Sequence, residues 1–364
     1  MKKKVLFLID SLGGGGAEKV LLDLLDNIDK DKYDVELLVM AKLGELLGKI
    51  PEGVKYRFTF PNKYIFYAVI LLPPSILYKL IVKDTYDTEV AFLEGRSTKV
   101  ISGSNNKKSK KIAWVHIDLL NNHWTKVFFR TYRNEKKAYS KFDEIICVSE
   151  DVKNKFIEKF NIRKNVKFKQ NPINDKIIKQ KSNEKSKDIF NKDKFNLITV
   201  GSLKYQKGYD RLLKVVNELN KNNISFDLHI FGEGDEREKL ESYIFENKLS
   251  NVKLHGFISN PYPYIKQADL FVCSSRTEGF STVATESVIL GTPIVTTDCS
   301  GMSELLGENS EYGYIVENTI EALFNGLKEI LTNEELYNNY KKRVNERSQA
   351  FDLDEIMDKI EQIL

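Results

Sequence analysis

Residues 270–295 read LFVCSSRTEGFSTVATESVILGTPIV. The run LFVCSS (270–275) is apolar enough for a buried strand and too short for a helix. After the loop RTEGFS, Ser281 is a suitable N-cap for a helix over 282–290. Gly291 then leads into a second apolar run, PIVTTD (293–298). Strand, helix and strand in so few residues make a βαβ unit, which requires a parallel sheet with helices on its faces. Two glutamates stand in this unit with no charge between them, in a chain that is 30% charged. Glu278 falls beyond the strand's carboxyl end. Glu286 lies one turn inside the helix, on the face of Thr282. Such a pair suits glycoside hydrolysis, one carboxyl acting as acid and the other as base or nucleophile. It suits equally a phosphate held at the helix start, with a carboxylate on either side for sugar hydroxyls. The helix is apolar, so a bare Glu286 inside it would be costly and implies a partner or ligand.

The same alternation extends in both directions. In the first half, strands are expected at 4–9, 35–40, 88–93, 111–116 and 144–149, with helices at 17–28, 64–82, 126–140 and 150–160. It restarts with strands at 195–201, 226–232, 252–257, 270–275, 293–298 and 313–316, and helices at 208–221, 234–247, 282–290 and 320–332. Between the series, residues 171–194 are polar and lysine-rich without a sustained apolar period, which reads as a linker. The expectation is α/β, with two doubly wound, Rossmann-like parallel-sheet domains facing a central cleft. Residues 1–175 form the first and 176–349 the second, and a terminal helix over 350–364 returns to the first. A length of 364 residues with 41% hydrophobic content supports two cores.

Ligands of open α/β sheets sit beyond the strands' carboxyl ends. Three further constellations lie there. DSLGGGGAEK (10–19) follows strand one, and its Gly15 and Gly16 open a helix; this is a tight turn or a phosphate loop. It lacks the GxGxxG spacing and the strand-two acid of a dinucleotide site. GSLKYQKG (201–208) places Lys204 and Lys207 before a helix, as exposed loop lysines or as a diphosphate clamp. FGEGD (231–235) is a glycine-bracketed turn containing Gly232.

Composition narrows the context. Cys147, Cys273 and Cys299 share no CxxC spacing and read as reduced, buried thiols of a cytosolic protein. MKKKVLFLID (1–10) reads as a first strand rather than a signal peptide. Residues 64–82 resemble a membrane span in length and hydropathy, but Pro73, Pro74 and Lys79 argue for buried or interface-lying helices. Residues 1–180 hold 34 Lys and Arg against 22 Asp and Glu, a net +12, whereas the remainder is net −8. A basic half suits an anionic membrane surface or a phosphorylated substrate; it also suits plain solvated lysines. Nucleic acid is not expected, because the basic runs lack interleaved stacking aromatics.

Taken together and in order, GGAE (15–18), KG (207–208), G-x-G (232–234), E-x7-E (278–286), GTPIV (291–295) and SE (303–304) resemble the GT-B glycosyltransferases of family 4 over nearly the whole chain. The resemblance implies a retaining, metal-independent transfer from a nucleotide sugar, expected to be UDP-linked, in cell-surface polysaccharide synthesis. It implies no cofactor. The acceptor would be a saccharide, expected to be lipid-diphosphate-linked, at the inner face of the cell membrane. Glu286 is similar to the carboxylate that holds the donor ribose, and Glu278 to the one on donor sugar hydroxyls. The amides of Phe280, Ser281, Thr282 and Val283 would face phosphate and sugar, and the turn at Gly232 would belong to the donor site. Lys207 resembles the diphosphate lysine, Gly15 and Gly16 the phosphate or acceptor loop, and His116 the first-domain histidine beside the donor sugar. His123, His229 and His255 receive no role. Where the family carries arginine after the strand-end glycine, this chain has Ser202, which leaves Lys204 as the nearby point charge. That departure keeps open a catalytically silent partner subunit, and the architecture keeps open a sugar-nucleotide epimerase.

Overall fold

A computed structural model describes residues 2–13, 15–60 and 72–364. The chain divides into two compact units: residues 1–173 with 353–364, and residues 174–352. The first is built on seven strands, β1 (Lys3–Ile9), β2 (Tyr33–Ala41), β3 (Lys55–Phe60), β4 (Thr88–Ala91), β5 (Lys110–Val115), β6 (Glu144–Cys147) and β7 (Val166–Phe168), in the order β3-β2-β1-β4-β5-β6-β7. The second has β8 (Phe195–Val200), β9 (Phe226–Phe231), β10 (Val252–Gly256), β11 (Leu270–Cys273), β12 (Ile294–Thr297) and β13 (Tyr314–Val316), in the order β10-β9-β8-β11-β12-β13.

Every pairing is parallel. In both sheets the strand order reverses beside the first strand of the series: β1 lies between β2 and β4, and β8 between β9 and β11. Those reversals are where a doubly wound sheet leaves room for a ligand. The central strands read as continuous apolar runs because helices cover both faces. Residues 5–9 of β1 and all of β11 are buried.

The terminal helix Leu353–Glu361 belongs to the first unit. Leu353, Ile356, Met357 and Ile360 make its buried stripe, at helical spacing. Its end is tied down by polar bonds: Glu361 Oε1 accepts from the Asp29 amide at 2.8 Å, and Lys110 Nζ donates to the Ile363 carbonyl at 2.8 Å.

Three expectations change. The proposed helix over 126–140 is a 3-10 turn at Trp124–Val127 followed by a helix only from Tyr132 to Tyr139, capped by Thr131. The linker contains a helix, Asp175–Lys181, capped by Asn174, whose side chain accepts from the Ile177 amide at 3.0 Å. The proposed helix over 64–82 falls partly outside the described residues. Its remainder is the helix Pro74–Ile81, and the proline pair starts that helix rather than interrupting it. Among the described residues, no helix is long and apolar enough to cross a membrane.

Candidate active site

In the second unit, β8 ends at Val200 and the chain turns through 201–204 into a short 3-10 turn, Tyr205–Lys207. Gly208, at φ 68°, then opens the helix Tyr209–Lys221. A Cβ on Gly208 would lie 2.1 Å from the Ser274 carbonyl oxygen, so the loops after β8 and β11 meet backbone to backbone. Gly232, at φ 149°, supports them from behind: a Cβ there would lie 1.9 Å from the Gly201 carbonyl oxygen. Only glycine fits such contacts.

This approach brings Lys207 to Glu278. Lys207 Nζ donates to Glu278 Oε1 at 2.6 Å, and Ser275 Oγ donates to the same oxygen at 2.6 Å. Glu278 is 7% exposed. Burial lowers the Lys207 pKa, but the Glu278 carboxylate outweighs it and holds the ammonium well above the ordinary lysine value. The Lys207 ammonium is therefore charged at neutral pH. A small cavity of about 10 Å³ is lined by Lys207, Tyr209, Cys273, Ser275, Glu278 and Val283, among others. Burial pushes the Tyr209 hydroxyl up to about 12 and the Cys273 thiol upward, so neither ionises near neutrality.

Ser281 caps the helix Thr282–Ile289 as expected, its hydroxyl accepting from the Ala284 amide at 3.4 Å. Thr282 and Val283 are half-buried, and Phe280 is buried. Glu286 is buried, and the Tyr262 hydroxyl donates to its Oε1 at 3.5 Å. Ser202 and Lys204 are exposed on the loop after β8.

Two residues that sequence reasoning did not single out hold the loop in place. Arg211, buried in the first turn of its helix, donates to the carbonyls of Ser274 at 2.7 Å and Ser275 at 3.0 Å, and to Asn318 Oδ1 at 2.8 Å. Arg276 forks onto both oxygens of Asp210 at 2.7 Å and lies over the Tyr205 ring, 3.8 Å from its centroid. Arg211 lies in the helix that starts after Gly208, and nothing in the sequence marked it out from a solvated helix arginine.

In the first unit, Gly15 and Gly16 are exposed at the start of the helix Gly16–Asn27, directly beyond β1. At the β1 end, Asp10 accepts from Ser97 Oγ at 2.7 Å and from Arg96 at 3.2 Å. Burial raises its carboxyl pKa while Arg96 opposes the rise. His116 follows β5 as expected. Its ring lies 4.8 Å from Phe92 and stacks on Trp114 at 6.3 Å. Burial pushes it down to about 3, so the ring is neutral. Glu94, beyond β4, was not anticipated: it is 3% exposed and accepts from the His116 amide at 3.0 Å and from Trp124 Nε1 at 3.3 Å. His123 pairs with the buried Glu135 at 2.6 Å, and His229 with His255 at 2.9 Å, both inside their own units.

Residues 180–347 match the family described as glycosyl transferases group 1. The N-acetylgalactosamine-N,N'-diacetylbacillosaminyl-diphospho-undecaprenol 4-alpha-N-acetylgalactosaminyltransferase of Campylobacter jejuni is 30% identical over 361 residues, covering 96% of each chain. The amylovoran biosynthesis glycosyltransferase AmsD of Erwinia amylovora is 24% identical over 378 residues, covering 99% of each. Among solved structures, Anabaena HepE in complex with UDP and glucose superposes with a TM-score of 0.74 at 19% identity, covering 99% of this chain and 98% of that one.

Proposed function

The chain belongs to the group 1 glycosyltransferases and has the GT-B fold, and from that premise we propose that it moves a sugar from a UDP-sugar to a lipid-diphosphate-linked saccharide, with retained anomeric configuration and no metal. The observation that carries the reading is the convergence of Lys207, Glu278 and Ser275 at the ends of β8 and β11, beside the start of the helix Thr282–Ile289. A diphosphate needs a cation and oriented amides, and a sugar needs a carboxylate acceptor. All three lie within one strand-end cluster. Glu286, with Tyr262 beside it, is the ribose carboxylate of the proposal. UDP in the Anabaena complex supports the nucleotide, and the acceptor named for the Campylobacter relative supports the lipid diphosphate.

In the proposed step, the bond from the anomeric carbon to the β-phosphate oxygen breaks, its electron pair leaving with UDP. The acceptor oxygen bonds to the same face of that carbon, and its proton passes to the departing phosphate. Lys207 and the helix amides stabilise the charge that develops there. Lys204 is the second cation in place of the absent arginine. The Nε2 atom of His116, in the first unit, meets a sugar hydroxyl. Peripheral attachment at the inner membrane face fits the basic first half, where Ile76 and Leu80 are exposed beside Lys79 and Lys83 on and just after the helix Pro74–Ile81.

The test is incubation with UDP- and GDP-sugars and a polyprenyl-diphosphate-linked saccharide. Mass spectrometry reads the acceptor gain and NMR the new anomeric configuration. One added hexose unit with retained configuration is the expected result. Nucleotide binding without any transfer would favour the partner-subunit reading that Ser202 suggests, and an inverted product would overturn the mechanism.

A further inference from the structure

The first unit holds a carboxylate that the proposed chemistry does not use. β4 and β5 pair in parallel with Ala91 opposite Ala113, so the segments following each strand emerge side by side. Glu94 comes from one and His116 from the other. The two Glu94 oxygens are divided between partners: Oε2 takes the His116 amide at 3.0 Å and Oε1 the Trp124 indole N–H at 3.3 Å. One buried side chain thus ties the residue at the strand end to the turn that follows eight residues later. Gly95, at φ 92°, lets the chain pass beneath this turn, since a Cβ there would fall 2.9 Å from the Phe128 ring. Phe128 meets Trp124 edge to face at 5.4 Å and carries the Arg96 guanidinium at 4.3 Å. The His116 ring is enclosed by Phe92 and Trp114 and interacts with the Phe92 carbonyl. Its Nε2 is buried and finds no partner among the described residues. An unpaired polar atom at that depth is normally satisfied by something else. The fold fixes the ring and leaves one nitrogen uncommitted.

We propose that Glu94 is a positioning residue for His116: by holding the His116 backbone and the Trp124 indole together, it aims the free Nε2 at a ligand hydroxyl. The inference rests on the reading that His116 meets a sugar, and adds to it the group that sets the ring's place. An ionised carboxylate accepts both N–H bonds at full strength, whereas protonation turns one oxygen into a hydroxyl and a poorer acceptor. Burial raises Glu94 to about 7, with the His116 amide, its own amide and the Trp124 indole opposing and the Asp10 carboxylate adding to the rise. The other groups facing it are the Tyr139 hydroxyl and the Cys147 thiol, both raised by burial, and the neutral His116 ring. Arg96 is engaged on Asp10. Glu94 is therefore a group of this cluster whose charge changes near neutral pH; His123, next to Trp124 in sequence, pairs with Glu135. The clamp is at full strength above pH 7 and weakens as the carboxyl takes up its proton below it.

The chain has two tryptophans, Trp114 and Trp124, and both belong to this cluster, so intrinsic fluorescence reports on it directly. The experiment titrates tryptophan emission from pH 5.5 to 8.5 in the full chain and in Glu94→Gln, Trp124→Phe and His116→Ala. It then follows turnover of whichever UDP-sugar in the panel binds the wild type most tightly. Expected is an emission change centred near pH 7 in the wild type and in His116→Ala, lost in Glu94→Gln and in Trp124→Phe. Glu94→Gln should lower kcat about 10- to 100-fold, as misplacement of a reacting group does, and flatten its rise through pH 7. UDP affinity, carried by the second unit, should stay within twofold. An emission change that persists in Glu94→Gln, or a kcat and pH profile unchanged by that substitution while His116→Ala abolishes turnover, overturns the role of Glu94 alone. Full turnover in His116→Ala overturns the reading on which it rests.

Discussion

Replacing Glu278 by glutamine should make the protein bind UDP more tightly while it loses turnover. Without a ligand, the Lys207 ammonium is engaged 2.6 Å from Glu278 Oε1, and Glu278 is almost entirely buried. A diphosphate arriving at this site must compete for a cation that already has a carboxylate, and must approach that carboxylate. Glutamine keeps the shape and the Ser275 hydrogen bond but removes the charge. The ammonium still donates to the amide oxygen, so the bond stays charge-assisted but falls from the upper toward the lower end of the range of about 1.5–3 kcal/mol for such bonds. The difference, about 1–1.5 kcal/mol, becomes available to the diphosphate. At about 1.4 kcal/mol per decade, UDP should bind roughly 5- to 12-fold tighter. Calorimetric titration of both proteins with UDP at pH 7.5 measures this, with circular dichroism to confirm that the variant is folded. Sugar transfer should fall about 100-fold in the same variant, because the sugar hydroxyls lose their acceptor. Equal or weaker UDP binding by folded Glu278→Gln would refute the claim that Lys207 is the shared partner of the carboxylate and the diphosphate.

Other outcomes follow from the same geometry. Gly232→Ala should destabilise the second unit by more than about 3 kcal/mol and abolish UDP binding, since its Cβ would sit 1.9 Å from the Gly201 carbonyl; thermal unfolding and titration check this. Arg211→Met leaves the buried Ser274 carbonyl without its side-chain donor, while Ser275 keeps Thr297 Oγ1 at 2.6 Å, and should lower stability by about 1–3 kcal/mol in chemical denaturation, with UDP affinity reduced more than tenfold. His229 is pushed down to about 4 by burial, and His255 beside it is also lowered. Between pH 6.5 and 4 the unfolded chain therefore binds more protons than the folded one, so stability falls as pH drops through that window. From pH 7.5 to 4.5, His229→Leu should lose about 2–3 kcal/mol less than the wild type in guanidinium denaturation.

The central strands were legible because burial on both faces makes them unbroken apolar runs, as in VLFLI and LFVC. The edges were not. β3, KYRFTF, is exposed or half-buried throughout, and β7 has three residues, so neither carries that signal. The helix Asp175–Lys181 was hidden because it buries only Asp175 and Ile178 and has no apolar stripe to read. In the site, Glu278 stood out at a strand end and Glu286 as a carboxylate inside an apolar helix, whereas Lys207, which by position reads as an exposed loop lysine, took its role from the family resemblance. Arg211 did not stand out, since an arginine in a helix reads as solvated until the fold turns it onto the Ser274 and Ser275 carbonyls. Glu94 was lost for a related reason: its two donors come from residues 22 and 30 positions away, a juxtaposition that only the β4–β5 pairing creates.

The most direct test of the account is calorimetric titration of the purified protein with UDP and GDP, repeated on Lys207→Ala and Glu286→Ala. The account predicts micromolar binding of UDP, weaker binding of GDP, and loss of at least tenfold in each folded variant. Failure of the folded wild type to bind either nucleotide, or unchanged UDP affinity in both variants, would contradict the placement of the donor site at the ends of β8 and β11.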